Sequence, residues 1–164
     1  MIVVADSSPL VILAKLGCFD FLNKLFPRMY VSSEVHREVV IAGAGLPGAS
    51  EVANAEWIEV RQLQNQSEIL VAQQKYALGV GELSTILLGK ELRADALLLD
   101  DYSARKLAKA AGLQVRGIVG LLETFYLRGH LTDLRAAFRQ LLTHSYIDPK
   151  LLDLRLRALG LAPL

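Results

Sequence analysis

The chain has 164 residues, 52% hydrophobic and 21% charged, and its 18 basic and 17 acidic side chains leave a formal charge of +1. A length near 150 residues is the usual size of one domain, and the apolar fraction is ample for one core, so disorder and a many-domain architecture are poor starting points. Near-neutral charge gives no global reason to expect a nucleic-acid coat protein or a membrane-surface binder, although a local basic patch can hide beneath the total. Cys18 has no partner for an intramolecular disulfide, and with His36, His130 and His144 it forms no zinc spacing. A reducing, cytoplasmic setting fits. The start Met1-Ile2-Val3-Val4-Ala5-Asp6 lacks the basic opening and long apolar core of a signal peptide. No later apolar run reaches about 18 residues without a charge, so a soluble chain with no membrane partner is expected.

Ile2 to Ala5 is a short apolar run rich in β-branched residues, as in a buried central strand of a parallel sheet, and it ends at Asp6. Ser7 or Ser8 is suited to cap a helix whose first position is Pro9, with the apolar stretch Leu10 to Leu16 stopping at Gly17. A second helical piece follows around Phe19 to Phe26. Met29-Tyr30-Val31 reads as a strand, and Ser32/Ser33 start a helix carrying Glu34 and Glu38 four residues apart on one face. Gly43 to Gly48 is a surface loop without the pattern of a phosphate-binding loop. Trp57 to Val60 is the next strand, Ser67 to Leu78 a helix closed by Gly79, and Gly81-Glu82 open the helix Leu83 to Leu92.

Ala96 to Leu99 repeats the first motif: a continuous apolar run ended by Asp100-Asp101 and followed by a helix from about Ser103 to Ala111, closed by Gly112. Leu113 to Val115 is a last short strand. Helices are expected near Ile118 to Arg128, Thr132 to His144, and Asp148-Pro149 to Leu159. The whole of 1–164 is therefore read as a single domain with a C-terminal helical extension from about residue 130. Short apolar strands separated by helices predict an open, mostly parallel α/β sheet, whose ligands bind outside the carboxyl ends of the strands.

That rule selects the acids. Asp6 and Asp100-Asp101 follow the two most apolar strands, and Glu38, one turn in, and Glu82, in the first turn, lie on helices able to dock beside them. Carboxylates gathered at one edge repel and raise one another's pKa, and a bound divalent cation is the usual remedy. Oxygen ligands without His or Cys suit Mg²⁺ or Mn²⁺, and the natural chemistry is phosphodiester hydrolysis. Each acid also has a plainer role: Asp6 as a helix cap, Glu82 as a complement to the helix dipole, Glu34 and Glu38 as a solvated face. Two adjacent acids such as Asp100 and Asp101 cannot both cap one helix.

Val3-Val4-Ala5-Asp6-Ser7-Ser8-Pro9-Leu10 with Ile12-Leu13-Ala14-Lys15 resembles the opening of PIN domains. Val31-Ser32-Ser33 leading to Glu38, then Gly81-Glu82, then Leu97-Leu98-Leu99-Asp100-Asp101 with Ala104-Arg105 are similar to the later acidic motifs in order. The likeness extends to Gly112-Leu113 and Gly117-Ile118-Val119-Gly120 and is nearest to the prokaryotic branch related to VapC-type toxin ribonucleases.

The resemblance implies a PIN-like three-layer α/β/α sandwich with a mostly parallel sheet of four or five strands. It also implies Mg²⁺- or Mn²⁺-dependent endoribonuclease activity, RNA as substrate, a homodimer, and an antitoxin protein as partner if the chain is a toxin. Asp6, Glu38, Glu82 and Asp101 would be the catalytic acids, with Asp6, Asp101, Asp100 and Glu82 as metal ligands. The motif favours Asp101 over Asp100 as the principal ligand, and an alignment slip of one residue would exchange them. Ser7 or Ser8 would support a carboxylate or cap the helix. Lys15, Arg105 and Lys106, with Lys109, are candidates for RNA phosphates, against the plainer reading of a solvated face.

Leu134, Phe138, Leu141 and Leu142 form a helical stripe for core or dimer contact. Tyr146 and the Leu151/Leu152/Leu156/Leu159 helix are expected to pack or to swap between subunits. The competing functional reading is a non-catalytic RNA- or partner-binding module on the same fold.

Overall fold

A computed structural model describes residues 1–164. Its centre is a five-stranded, all-parallel sheet of β1 (Val3–Ala5), β2 (Met29–Ser32), β3 (Ile58–Arg61), β4 (Ala96–Leu98) and β5 (Val115–Arg116), in the order β3-β2-β1-β4-β5. Val4 pairs with Tyr30 on one side and Leu97 on the other, so β1 is the central strand. The chain first builds outward through β2 and β3 and then returns to the other side of β1 through β4 and β5. The strand order therefore reverses between β1 and β4, the place where such sheets open a crevice.

Both faces of the sheet are covered, which is why β1 and β4 are apolar at every position rather than alternating. Val3, Ala5, Ala96 and Leu98 face a large core with α1 (Ser7–Lys15), α2 (Phe21–Leu25), α8 (Ile118–Leu127), α9 (Leu134–His144) and α10 (Pro149–Ala158). Phe125 and Phe138 are fully buried there, each stabilising the fold by roughly 1.5–3 kcal/mol. Val4, Leu97 and Leu99 point the other way, toward Ile69 of α5 (Ser67–Lys75), Ile86 and Leu88 of α6 (Val80–Leu92), and Ala104 and Ala108 of α7 (Tyr102–Ala110). The short helices α3 (Ser33–His36) and α4 (Ala49–Asn54) flank the β2 side.

Several boundaries differ from the sequence expectations. Helix α1 begins at Ser7 rather than Pro9, because the Asp6 amide still donates to Leu98 O at 3.0 Å and the helix starts directly beyond that last ladder bond. Ser7 and Ser8 therefore lie inside the first turn and do not cap it. Helix α5 stops at Lys75, where Tyr76 turns extended, and Gly79 is the residue preceding α6 rather than the closure of α5. The last strand lies at Val115–Arg116 instead of Leu113 to Val115, since the Leu113 amide turns back to Ala108 O at 3.0 Å to close α7.

The helix expected from Ser33 changes to π-helical winding at Arg37–Ala42, with the Gly43 amide bonded to Glu38 O five residues back. Glu38, in that turn, is exposed, but its Oε1 accepts from Ser7 Oγ, so it is more than a solvated helix face. At the C-terminal end, Leu134, Phe138, Leu141, Leu152 and Leu156 are all in the chain's own core, whereas Tyr146 is fully exposed and does not pack. Glu123 of α8, only 8% exposed, is held by Arg155 of α10 through bonds of 2.6 and 2.9 Å.

Candidate active site

Asp6 is the residue directly after β1, and Asp100 follows β4 by one residue beyond Leu99, so the sheet itself carries both carboxylates to the switch-point crevice. Asp6 occupies the position before α1, yet its side chain makes no capping bond, and its Oδ1 is buried without a hydrogen-bond partner. The plain capping role is thus ruled out for Asp6. Asp101 does cap: its Oδ2 accepts from the Ala104 amide at 2.9 Å, and the residue is exposed to solvent. Asp100 turns inward, where Oδ1 accepts from the Ile118 amide at 2.7 Å and Oδ2 is buried without a partner.

The third wall comes from α6. Gly81 lies against the acids so closely that a Cβ there would stand 2.6 Å from Glu38 Oε2 and 3.4 Å from Asp6 Oδ1. Glu38 reaches this place from the π-helical turn, and Ser7 Oγ donates to its Oε1 at 3.2 Å. Ser7 thus supports a carboxylate, whereas Ser8 is exposed at the rim. Asp6, Ser7, Ser8, Glu38, Gly81 and Glu82 share one cavity of about 380 Å³.

Helix α6 is fixed in depth by a buried hydroxyl chain that the sequence reading did not single out. Ser84 Oγ and Thr85 Oγ1 donate to Gly81 O at 2.8 and 2.9 Å, and Ser84 Oγ lies 2.7 Å from Ser32 Oγ. Ser32 accepts from the Val35 amide at 3.0 Å, and Ser84 has already spent its proton on Gly81, so Ser32 is the donor between the two hydroxyls. The available signal was the pair Ser84-Thr85 inside an otherwise apolar helix, since polar groups at such positions need partners.

Electrostatics matches this geometry. Burial above all pushes the Asp6 carboxyl up to about 7, the Ser7 backbone amide partly opposes that, and the charges of Glu82, Glu38 and Asp100 push it further. Glu82 is raised by burial and then by Asp101, and Asp100 is raised by burial against the opposing Ile118 amide and Arg105 charge. Simultaneous ionisation of the cluster is therefore costly. In the present rotamers no three of these side chains converge closely enough to hold a metal ion together. The donor set nonetheless fits a hard cation: oxygen ligands only, two of them buried and unpartnered, with room left for water.

The basic candidates separate. Lys15 lies at the far end of α1, roughly 13 Å along the helix from Asp6, so it is not at the acidic edge. Arg105, Lys106 and Lys109 share one stripe of α7 with Tyr102 and line a cavity of about 390 Å³ with Asp100. None of the three enters an ion pair.

A carboxylate-lined crevice at the switch point of a parallel α/β sheet defines the class of the protein. The family model DUF3368, described as a PIN domain, matches residues 2–161, and the chain belongs to the PIN-domain family. PIN domains are typically nucleases and generally use divalent metals. Among solved structures, a PilT N-terminus domain protein from the hyperthermophilic archaeon Sulfolobus solfataricus P2 is similar, with a TM-score of 0.52 and 17% identity. The alignment covers 76% of this chain and 92% of that one, and at such identity it supports the fold alone. No curated protein matches. No helix is long and apolar enough to cross a membrane.

Proposed function

We propose that the protein is a Mg²⁺- or Mn²⁺-dependent endoribonuclease that hydrolyses RNA phosphodiesters at the Asp6 crevice. The observation that carries this reading is the pair of buried, unpartnered carboxylate oxygens, Asp6 Oδ1 and Asp100 Oδ2, on either side of the switch point. A buried polar atom without a partner is costly, and a cation satisfies both while relieving the mutual repulsion. Asp6, Asp100, Asp101 and Glu82 would hold the ion, with Glu38 oriented by Ser7. When bound, a divalent cation neutralises the phosphate and eases deprotonation of an attacking water. The chain's own part is to fix these oxygens: the Ala104 amide holds Asp101, the Ile118 amide holds Asp100, and the hydroxyl chain sets the depth of α6.

The deciding experiment is Mn²⁺-stimulated cleavage of single-stranded RNA by the wild type and by Asp6→Asn and Asp101→Asn. Cleavage lost in both, with circular dichroism unchanged, is the expected result, and undiminished cleavage in both overturns it. The second reading, a non-catalytic RNA- or partner-binding module, draws on the separation of the carboxylates and predicts RNA binding without cleavage at any Mn²⁺ concentration. A homodimer and an antitoxin covering the acidic edge extend the proposal. They are tested by sedimentation and by co-purification with the product of an adjacent reading frame.

A further inference from the structure

Asp100 and Arg105 also line a second hollow of about 300 Å³, together with Ile118, Val119, Ile147 and Leu151. Ser145 and Tyr146 complete its lining. We infer that this hollow receives one nucleobase of a single-stranded RNA, stacked against Tyr146, while Arg105 takes the adjoining phosphate. The inference rests on the nuclease reading and adds to it a base subsite built from the segment joining α9 and α10.

Four features converge on a base. The volume lies at the small end of the range for ligand pockets, suiting one planar ring system rather than a peptide segment. Tyr146 is fully exposed, while the two residues after it are anchored: Ile147 packs against the main core and Asp148 caps α10 through the Lys150 amide at 2.9 Å. An aromatic ring presented to solvent from an anchored loop loses little entropy when a base stacks on it.

The hollow also adjoins the basic cavity along α7, because Asp100 and Arg105 line both. Tyr102, 79% exposed, Lys106 and Lys109 line that second cavity, so an exposed tyrosine belongs to each of the two cavities and Arg105 to both. Finally, residue 117 has to be glycine for Arg105 to take this place: a Cβ would run into its guanidinium and stand 3.2 Å from Asp100 Oδ1. Aromatic platforms beside a cationic track are the pattern by which single strands are held, and an apolar peptide would leave the cations unused.

The test measures binding without metal. Full-length protein in chelator is titrated into a single-stranded RNA carrying 2-aminopurine, and anisotropy and fluorescence quenching are both read. Wild type is expected to quench the probe, Tyr146→Ala to lose the quenching and bind about tenfold more weakly, and Tyr146→Phe to retain both. An RNA with one abasic position should reproduce the Tyr146→Ala loss on wild-type protein, which guards against a misfolded variant. Equal binding of the deoxy strand supports base recognition. An unquenched probe with wild type, or full affinity for the abasic RNA, overturns the pocket. Loss of cleavage in Asp6→Asn bears on hydrolysis alone, so the two readings fail separately.

Discussion

Gly81 makes room for Glu38: the position a Cβ would occupy on residue 81 is only 2.6 Å from Glu38 Oε2. Helix propensity and site geometry therefore pull in opposite directions at this residue. Alanine is favoured over glycine inside a helix by about 0.5–1 kcal/mol, and the obstructing atom is the free end of a flexible side chain. Gly81→Ala is expected to keep or raise the unfolding midpoint while displacing Glu38 and lowering Mn²⁺-dependent cleavage about tenfold. Thermal melts and cleavage rates on one preparation check it, and a destabilised variant with normal cleavage would contradict it.

The acidic cluster makes stability depend on pH in a defined direction. The folded Asp6 carboxyl titrates near 7 against 3.8 for the free group, so between those values the native state binds more protons than the unfolded one. Stability of the metal-free protein must then fall as pH rises from about 4 to 7, and Asp100 and Glu82, raised in the same direction, add to the fall. Asp6→Asn removes the largest part, gaining up to roughly 4 kcal/mol over wild type at pH 8 and little at pH 4. Urea unfolding in chelator across this range measures it. Added Mn²⁺ should stabilise wild type more at pH 8 than at pH 5, because the cation competes with the proton.

Asp101 combines a cap with an exposed carboxylate, and one substitution separates them. Asparagine caps a helix as well as aspartate does, so Asp101→Asn leaves the bond to the Ala104 amide in place and removes only the charge. The expected result is an unfolding free energy within about 0.5 kcal/mol of wild type and cleavage reduced at least a hundredfold. Normal cleavage in Asp101→Asn with loss in Asp100→Asn would make Asp100 rather than Asp101 the principal ligand.

Glu123 and Arg155 fasten the C-terminal helix. The carboxylate is buried and the guanidinium 43% exposed on its outer side. Arg155→Ala strands a buried charge and should cost about 2 kcal/mol, less than a fully buried pair because solvent reaches the arginine side. Glu123→Leu combined with Arg155→Ala should recover most of that. Urea midpoints of the single and double variants decide it, and a single variant as stable as wild type would show the pair to be screened.

The strand-to-acid grammar at both ends of the crevice was legible in the residues. Uninterrupted apolar runs ending in Asp6 and in Asp100-Asp101 are local signals, because a strand covered on both faces admits no polar residue until it leaves the sheet. The α/β class and most of the helix order followed from the same punctuation, although α4 (Ala49–Asn54) was not among the expected helices. Helix ends were less legible: Tyr76 ends α5 early, and the π-helical turn at Arg37–Ala42 leaves no mark in residue spacing.

What the sequence by itself determined, then, is the class of the fold and the set of acids at one edge. Tertiary structure alone decided the division of labour among them. It turned Asp100 inward and Asp101 onto the helix end, left Asp6 Oδ1 without a partner, and seated Glu38 over the bare backbone of Gly81. It also removed Lys15 from the site and placed Tyr146 beside Arg105 across about 40 residues of chain. The reason is physical: a carboxylate's burial, its partner and its pKa are set by the surfaces that pack around it, and those surfaces come from distant parts of the chain.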